Sequence, residues 1–314
     1  MSNPITLVTR VAAQQEAAWL SALAEAMPDE TIVRFRDMLP DERARSRVAI
    51  VANPDPADLA ALPNLAWVQS LWAGVEQIVA GRAADELPVV RLVDPELSRT
   101  MAEAVLAWTY YLQRDMPRYR RQQGERQWLQ HSYRRPAEMR VGIVGLGTLG
   151  GEAARRLCDA GFEVAGWSRT PKSVPGVRAY CGTEGLSEML SASDIVVCLV
   201  PLTASTRGLL DRARFAAMKP GAALINFARG PVVVADDLID ALDRGHLSHA
   251  VLDVFDEEPL PPASRFWDHP RVTVLPHISA PTHFHTAAQV VAENVRAWRA
   301  SGRTPRSVDP ALGY

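Results

Sequence analysis

A glycine-rich turn between two regular segments constrains this chain more than any other feature. Residues 141–150 begin as an apolar run and end with Gly145, Gly147 and Gly150, and the pattern that follows is helical. In a G-x-G-x-x-G turn the first glycine allows a tight turn, the second lets a pyrophosphate approach, and the third lets the helix pack on the strand. The phosphates then lie at the helix N-terminus, which favours anions. The segment therefore predicts a dinucleotide site.

The end of the next predicted strand narrows the choice of dinucleotide. An NAD site usually has an acidic residue about 20 positions after the glycines, where it binds the ribose 2′-hydroxyl. Here the strand 162–167 is followed by Ser168, Arg169 and Thr170, with Lys172 close by. This loop has no carboxylate to repel a 2′-phosphate and has two cations to bind one. We therefore expect NADPH as the cofactor, with NADH as the weaker alternative, although Arg169 as an ordinary solvated arginine is the simpler interpretation.

Composition and charge exclude several other classes. The 314 residues suffice for two domains, and a net charge of −2 gives no electrostatic argument for nucleic acid or membrane binding. The three cysteines are far apart in the sequence and suggest neither a disulfide framework nor a zinc site. No apolar run has the length of a membrane span, and the first residues lack a signal-peptide pattern. We therefore expect a cytoplasmic location.

The alternation of apolar and helical segments predicts an α/β protein. Short apolar runs begin near Ile5, Thr31, Val48, Trp67 and Val89, and helical patterns lie over 12–27, over 100–127 as one helix or two, and over 282–300. Strands separated by helices indicate parallel sheets. We predict two Rossmann-like or flavodoxin-like domains with a cleft between them. Residues 101–282 form a dinucleotide-binding domain, inserted in a substrate (catalytic) domain made of residues 1–100 and 283–314.

Three polar residues follow predicted strands in the second half of the chain. Arg229 follows one apolar strand, the acidic segment 256–258 follows a second, and His277 follows a third. An arginine, an acid and a histidine at such strand ends can converge on one ligand. Taken singly, Arg229 reads as a capping or interdomain residue, Glu258 as surface, and a lone histidine more often as structural. Their position behind a dinucleotide site favours catalysis.

With these motifs the chain resembles the D-isomer-specific 2-hydroxyacid dehydrogenases, and within them the glyoxylate/hydroxypyruvate reductase branch. The resemblance covers the cofactor domain in the family's order and spacing, and reaches the first domain at Trp72-Ala-Gly-Val. It rests on the glycine turn and on Leu199-Val-Pro-Leu-Thr, Met218-Lys-Pro-Gly, Ala228-Arg-Gly, Leu252-Asp-Val-Phe-Asp-Glu-Glu-Pro and Leu275-Pro-His-Ile. The segment from Trp167 suits the NADPH-using branch.

The resemblance implies a role for each matching residue. Arg229 binds the substrate carboxylate and keto oxygen, His277 is the general acid, and Glu258, rather than Glu257, favours the protonated imidazole. The turn of Ala73, Gly74 and Val75 offers backbone N–H groups to the carboxylate, with Trp72 beside it as a pocket wall or a core residue. Asp253 accepts a bond from the nicotinamide amide. The remaining cofactor contacts are Thr148, Leu149, Val200, Pro201 and Ala228. Relatives are commonly dimers, and a homodimer is expected here, with the helices after Thr100 contributing.

Departures from the family pattern leave the substrate open. Trp72 and Glu76 stand where relatives vary, and residues 279–285 lack the diglycine of many relatives. His283 and His285, two residues apart, point to different sides of a helix, so we expect no metal site, and His246 and His249 read as surface positions beside a strand. Besides reduction of a small 2-keto acid such as glyoxylate or hydroxypyruvate, two functions stay open. One is oxidation of a small anion such as formate or phosphite, and the other is non-catalytic dinucleotide sensing, as in the family's transcriptional corepressors.

Overall fold

The chain divides into two compact units. The structure, a computed structural model, describes residues 3–79 and 87–309. One unit consists of the chain up to Glu96 together with the chain from Thr282, and Leu97–Pro281 forms the other. The domain bounds given by the sequence, 1–100 with 283–314 and 101–282, stay a prediction. Within the described residues, no helix is both long and apolar enough to cross a bilayer.

A five-stranded parallel sheet forms the first unit. Up to the boundary its elements are β1 (Ile5–Thr9), α1 (Ala13–Ala26), β2 (Ile32–Arg34), a 3-10 turn (Phe35–Asp37), α2 (Pro40–Arg45), β3 (Val48–Ala52), α3 (Pro56–Ala60), β4 (Trp67–Ser70), α4 (Glu76–Val79) and β5 (Val89–Val90). The strand order is β2-β1-β3-β4-β5, and every neighbouring pair is parallel. Parallel sheets need helices on both faces, which explains the alternation in the sequence.

A seven-stranded parallel sheet forms the second unit. Its strand order is β12-β11-β10-β9-β6-β7-β8. Its elements are α5 (Pro95–Gln113), α6 (Met116–Gly124), a 3-10 turn (Pro136–Glu138), β6 (Arg140–Val144), α7 (Thr148–Asp159), β7 (Glu163–Ser168), β8 (Val177–Cys181), α8 (Gly182–Ala192), β9 (Ile195–Cys198), α9 (Arg212–Ala217), β10 (Ala222–Asn226), a 3-10 turn (Gly230–Val232), α10 (Ala235–Asp243), β11 (Leu247–Leu252) and β12 (Val272–Val274). The last helix, α11 (Phe284–Ser301), belongs to the first unit. The prediction of two parallel α/β domains is confirmed.

The central strands explain why their sequences show no polar alternation. Every residue of β3 and of β10 is buried, because helices cover both faces of each sheet. In the first unit Trp19, Trp67 and Val291 of α11 belong to one apolar cluster that is closed to solvent. The returning C-terminal helix therefore completes the core of the first unit.

The helical region predicted over 100–127 is two helices. Helix α5 already begins at Pro95, since proline is well tolerated in a first helical turn, and it ends at Gln113. Asp115 then adopts a left-handed conformation with φ 55°, and α6 starts at Met116.

One histidine was placed wrongly by the sequence. His249 lies within β11 with 5% of its surface exposed, so the predicted surface position is wrong. Its ring packs against Tyr111 of α5, with ring centroids 6.2 Å apart, whereas Ser248 of the same strand faces the other way and is exposed. His246 precedes β11 and is partly buried, with Nε2 2.9 Å from the Phe215 carbonyl oxygen. Both side chains are therefore held by the fold.

Candidate active site

The glycine turn joins β6 to α7, and each of its glycines meets a different steric requirement. Gly145 has φ +111°, which side chains rarely adopt. A Cβ on Gly150 would lie 1.8 Å from the Gly145 carbonyl oxygen, so only glycine fits this helix–strand contact. A Cβ on Gly147 would meet nothing within 4 Å. The turn therefore leaves open space beside Gly147 and beside the first amides of α7, which begins at Thr148. These residues fit a bound pyrophosphate.

The loop after β7 lies next to this turn at the same sheet edge. Strand β7 pairs with β6, and the Gly145 amide donates to the Trp167 carbonyl oxygen over 2.8 Å. Ser168 is buried and its hydroxyl donates to the Thr170 carbonyl oxygen over 2.7 Å, which curls the loop. Arg169 and the other residues from 169 to 172 are exposed. The exposed cations thus stand at the strand end where a ribose is bound in folds of this kind.

A buried amide shapes the backbone around Arg229. The Asn226 side chain, 1% exposed, donates to the Arg229 carbonyl oxygen over 3.1 Å and accepts from the Ala228 amide over 3.1 Å. A Cβ on Gly230 would lie 2.0 Å from the Phe255 carbonyl carbon, so this position requires glycine. Sequence reasoning missed Asn226, and the only signal was an amide residue ending an otherwise apolar strand. Asn226 and Gly230 together fix the segment that presents Arg229.

His277 and Glu258 form a direct pair. The Nδ1 atom of His277 lies 2.7 Å from Oε2 of Glu258, and Oε1 of Glu258 accepts from the Phe255 amide over 2.9 Å. The imidazole is 52% exposed, so it is reachable by a ligand. The carboxylate that contacts the imidazole is that of Glu258, the residue directly before the proline.

Asp253 forms hydrogen bonds to the backbone of the loop that carries His277. Its buried carboxylate accepts from the Ile278 amide over 2.7 Å and from the Ser279 amide over 2.9 Å. These bonds hold the chain directly after His277, whose φ of 54° is left-handed. The predicted role of Asp253 was a bond to the nicotinamide amide, and nothing in the sequence indicated the loop contact. Each carboxylate oxygen has a second acceptor site, so the two roles are compatible.

The predicted residues of the second unit lie along one edge of its sheet. Arg229, Asp253 and His277 follow β10, β11 and β12, which are neighbours in the sheet. Val200 and Pro201 follow β9, which lies between β10 and β6, and Ala228 lies beside Arg229. Because parallel strands end on the same side, the fold brings the catalytic and cofactor candidates of this unit to one edge.

The predicted carboxylate-binding turn lies in the first unit, after β4. Trp72 is partly buried, and its ring packs edge-on against the buried Trp19 with centroids 5.9 Å apart. Ala73 and Gly74 are partly exposed, whereas Val75 is buried. Trp72 thus contacts the core and still presents surface. Binding of substrate by this turn stays a prediction.

Cysteines and histidines outside this edge form no ligand cluster in the residues that the structure covers. Cys158, Cys181 and Cys198 are free thiols. His283 and His285 are both exposed near the start of α11. Within residues 3–79 and 87–309, no group of three or more histidine, cysteine or acidic side chains is arranged to hold a metal ion.

Comparisons with known proteins agree on one family. Residues 106–279 match the family model for the NAD-binding domain of D-isomer-specific 2-hydroxyacid dehydrogenases. Glyoxylate/hydroxypyruvate reductase A of Serratia proteamaculans is 37% identical over 303 residues, which cover 94% of this chain and 96% of that protein. The Photorhabdus laumondii protein of the same name is 36% identical over 304 residues, which cover 95% of this chain and 96% of that protein.

Solved structures give the same result in three dimensions. A D-isomer-specific 2-hydroxyacid dehydrogenase of Xanthobacter autotrophicus, crystallised with NADPH and MES, superposes with a TM-score of 0.93 at 41% identity over 100% of both chains. A second structure is that of an NADPH-dependent glyoxylate/hydroxypyruvate reductase of Sinorhizobium meliloti in complex with NADP and sulfate. It superposes with a TM-score of 0.88 at 33% identity, over 99% of this chain and 100% of that one.

Proposed function

The chain belongs to the D-isomer-specific 2-hydroxyacid dehydrogenase family, as its motifs predicted, and we propose that it reduces a small 2-keto acid with NADPH. Glyoxylate and hydroxypyruvate are the proposed substrates, since relatives named for them match nearly the whole chain. The observation that carries the proposal is the contact of 2.7 Å between His277 and Glu258, at the sheet edge that also holds Arg229. This edge combines an anion-binding group with a proton donor.

The roles of the three residues follow from their chemistry. The Arg229 guanidinium donates from Nη1 to the Ala228 carbonyl oxygen over 2.7 Å, and a guanidinium has five N–H donors whose geometry matches the carboxylate and keto oxygen of a 2-keto acid. His277 in its protonated form donates a proton to the carbonyl oxygen, and the adjacent Glu258 carboxylate orients the imidazole through its contact with Nδ1. When bound, NADPH supplies the hydride.

The choice of NADPH rests on the loop after β7. Residues 168–172 contain no acid, and Arg169 and Lys172 are exposed there. A carboxylate in this place would repel a 2′-phosphate, whereas an arginine recognises one with charge-assisted hydrogen bonds. Two related structures hold NADPH or NADP, which supports the same choice.

A panel of substrates and a pair of histidine variants test the proposal. The wild type should oxidise NADPH in the presence of glyoxylate or hydroxypyruvate. His277→Ala and His277→Asn should lose about a hundred- to ten-thousand-fold in turnover while still binding NADPH. The asparagine variant is included because asparagine tolerates the left-handed backbone at position 277, so it removes the imidazole with little change to the loop. His283→Ala, at an exposed histidine, serves as the control.

Three outcomes would contradict the proposal. Oxidation of formate or phosphite without keto-acid reduction would identify a different enzyme on this scaffold. Binding of NADPH without turnover of any substrate would indicate a sensing protein. Near-wild-type turnover of both His277 variants would show that another group delivers the proton.

We also propose that the chain forms a homodimer through the second unit. After α6 this unit exposes several large apolar side chains, among them Trp128 at 97%, Tyr133 at 57% and Leu129 at 56%. Large apolar side chains that are exposed close together in the sequence are typical of segments that form protein interfaces. Light scattering should give twice the chain mass for the wild type and a smaller value for Trp128→Ser, whereas a monomeric wild type would refute the proposal. The cytoplasmic location stays a prediction.

A further inference from the structure

The carboxyl edge of the first unit's sheet carries two polar residues to which the proposed function gives no role, Arg10 and Asn53, and the predicted pocket residue Trp72. Arg10, Asn53 and Trp72 directly or closely follow β1, β3 and β4, which are neighbours in the sheet. In open parallel sheets ligands bind at this edge. The Arg10 guanidinium is paired with Asp55, so it is already held within the unit. Asn53 and Trp72 are held by each other.

Asn53 has an unusual backbone and a specific side-chain contact. Its φ is 51°, in the left-handed region, which asparagine tolerates better than most residues. Its Oδ1 accepts a hydrogen bond of 3.1 Å from the indole Nε1 of Trp72. The exposed Asn53 therefore reaches across to the residue that follows the neighbouring strand. A polar side chain in a left-handed turn is here directed at a single tryptophan.

The rest of Trp72 is fixed as well. Its amide donates to the Ser70 hydroxyl over 3.0 Å, and its carbonyl oxygen accepts from the Leu92 amide over 3.0 Å. The Trp72 ring packs edge-on against Trp19 at an interplanar angle of 74°. The Trp19 ring in turn packs against Phe284, with ring centroids 4.6 Å apart. These contacts hold the Trp72 backbone and the side of its ring that faces the core. The hydrogen bond to Asn53 is the contact that holds the indole N–H side.

We propose that Asn53 is a positioning residue that holds the Trp72 indole as a fixed wall beside the turn Ala73-Gly74-Val75. The proposal rests on the proposed function, in which that turn binds the substrate carboxylate. A tryptophan held at three sides cannot swing away from a bulky substituent on the carbon next to the keto group. The wall therefore restricts substrates to two- and three-carbon 2-keto acids and excludes branched and aromatic ones.

The test compares variants by the ratio of kcat/KM for phenylpyruvate to kcat/KM for glyoxylate. Trp72→Ala should raise this ratio by removing the wall. Asn53→Gly keeps the left-handed backbone but loses the acceptor, and it should raise the ratio about two- to tenfold, the range for one lost hydrogen bond. Asn53→Asp retains an acceptor and should stay near the wild-type ratio. Asn64→Gly, at an exposed asparagine whose side chain donates to the Ala44 carbonyl oxygen, is the matched control.

A second readout does not depend on turnover. In an NMR spectrum of protein labelled at tryptophan nitrogen, the indole resonance that disappears in Trp72→Phe belongs to Trp72. Its N–H should exchange with solvent faster in Asn53→Gly than in the wild type and in Asn53→Asp. Unchanged exchange in Asn53→Gly would overturn the positioning role even if no keto acid were reduced.

The outcomes separate this inference from the function on which it rests. If no keto acid is reduced, the proposed function fails, and the exchange experiment alone decides whether Asn53 positions Trp72. If glyoxylate is reduced and Asn53→Gly leaves the substrate ratio unchanged, the function stands and Asn53 sets no specificity. A wild type that prefers phenylpyruvate would refute the small-substrate wall.

Discussion

His277 and Glu258 meet through one nitrogen and one oxygen, 2.7 Å apart, while the other carboxylate oxygen is bound to the Phe255 amide. The carboxylate is thus anchored at one end and aimed at Nδ1 at the other. Because a carboxylate is an acceptor, Nδ1 carries a proton in this pair. Nε2 is then the nitrogen that can gain a proton from water and deliver it to a substrate oxygen.

This arrangement predicts that Glu258→Gln slows reduction. Glutamine can still accept from Nδ1 but places no negative charge beside the imidazole, which is the group proposed to deliver the proton. We expect kcat/KM for glyoxylate to fall, by less than the roughly hundred- to ten-thousand-fold loss expected when the general acid itself is removed. The measurement is kcat/KM for glyoxylate at neutral pH, together with a titration of NADPH binding, which should be unchanged.

Glu257→Gln is the matched control, because Glu257 is exposed and adjacent in sequence. Its kcat/KM should match that of the wild type. A loss in Glu257→Gln with none in Glu258→Gln would show that Glu257, and not Glu258, assists the histidine.

The sequence was sufficient where structure depends on residues close together in the chain. Apolar periodicity predicted the buried strands, and local turn chemistry predicted the glycine turn. The ends of the predicted strands also indicated that Arg229 and His277 follow β10 and β12. The glycine requirements at Gly145 and Gly150 also followed from one short segment.

The sequence was insufficient where a side chain meets a distant part of the chain. Asp253 binds amides 25 and 26 residues away, and Asn53 binds an indole 19 residues away. Neither contact leaves a periodic or local signature. The buried His249 ring packs against Tyr111 of α5, which lies far away in the sequence.

The buried His249 predicts a loss of stability in acid. Burial, followed by the positive charges of Arg121, His269 and Arg271, lowers its pKa from 6.5 to about 4. Below pH 6.5 His249 therefore binds a proton in the unfolded chain but not in the folded protein. The free energy of unfolding falls with pH until the pH reaches about 4. With 1.36 kcal/mol per pKa unit, the loss between pH 7 and 4.5 is about 2 to 3 kcal/mol.

Denaturant unfolding at both pH values measures this effect. His249→Gln, which can keep a hydrogen bond to the Thr273 hydroxyl, should lose about 2 to 3 kcal/mol less stability than the wild type over the same interval. His285→Gln, at an exposed histidine, should behave like the wild type. Equal acid losses in the wild type and His249→Gln would show that His249 does not govern the effect.

Arg169→Ala should weaken the preference for NADPH. A charge-assisted contact between arginine and phosphate contributes roughly 1.5–3 kcal/mol, which corresponds to about a ten- to hundredfold change in affinity. The quantity to measure is the ratio of kcat/KM for NADPH to that for NADH. Arg120→Ala, at an exposed arginine of α6, is the control. An unchanged ratio in Arg169→Ala would remove the assigned role from this residue.

Three alanine substitutions in and beside the glycine turn should have three different effects. Gly151→Ala places a methyl group in open space within α7 and should fold at least as stably as the wild type and bind NADPH normally, since alanine favours helix. Gly150→Ala forces a Cβ against the Gly145 carbonyl oxygen and should lower the free energy of unfolding by about 1–3 kcal/mol. Gly147→Ala also meets no protein atom within 4 Å and has φ −77°, which alanine adopts readily, so it should melt like the wild type.

Gly147→Ala should nevertheless bind NADPH at least about tenfold more weakly, because its methyl group enters the space through which a pyrophosphate approaches the amides of α7. Thermal melts without cofactor and fluorescence titrations with NADPH separate the two kinds of damage. A Gly147→Ala protein with wild-type affinity would show that the phosphates do not approach at this glycine. A Gly147→Ala protein that melts early would show instead that the space beside Gly147 is filled in the folded protein.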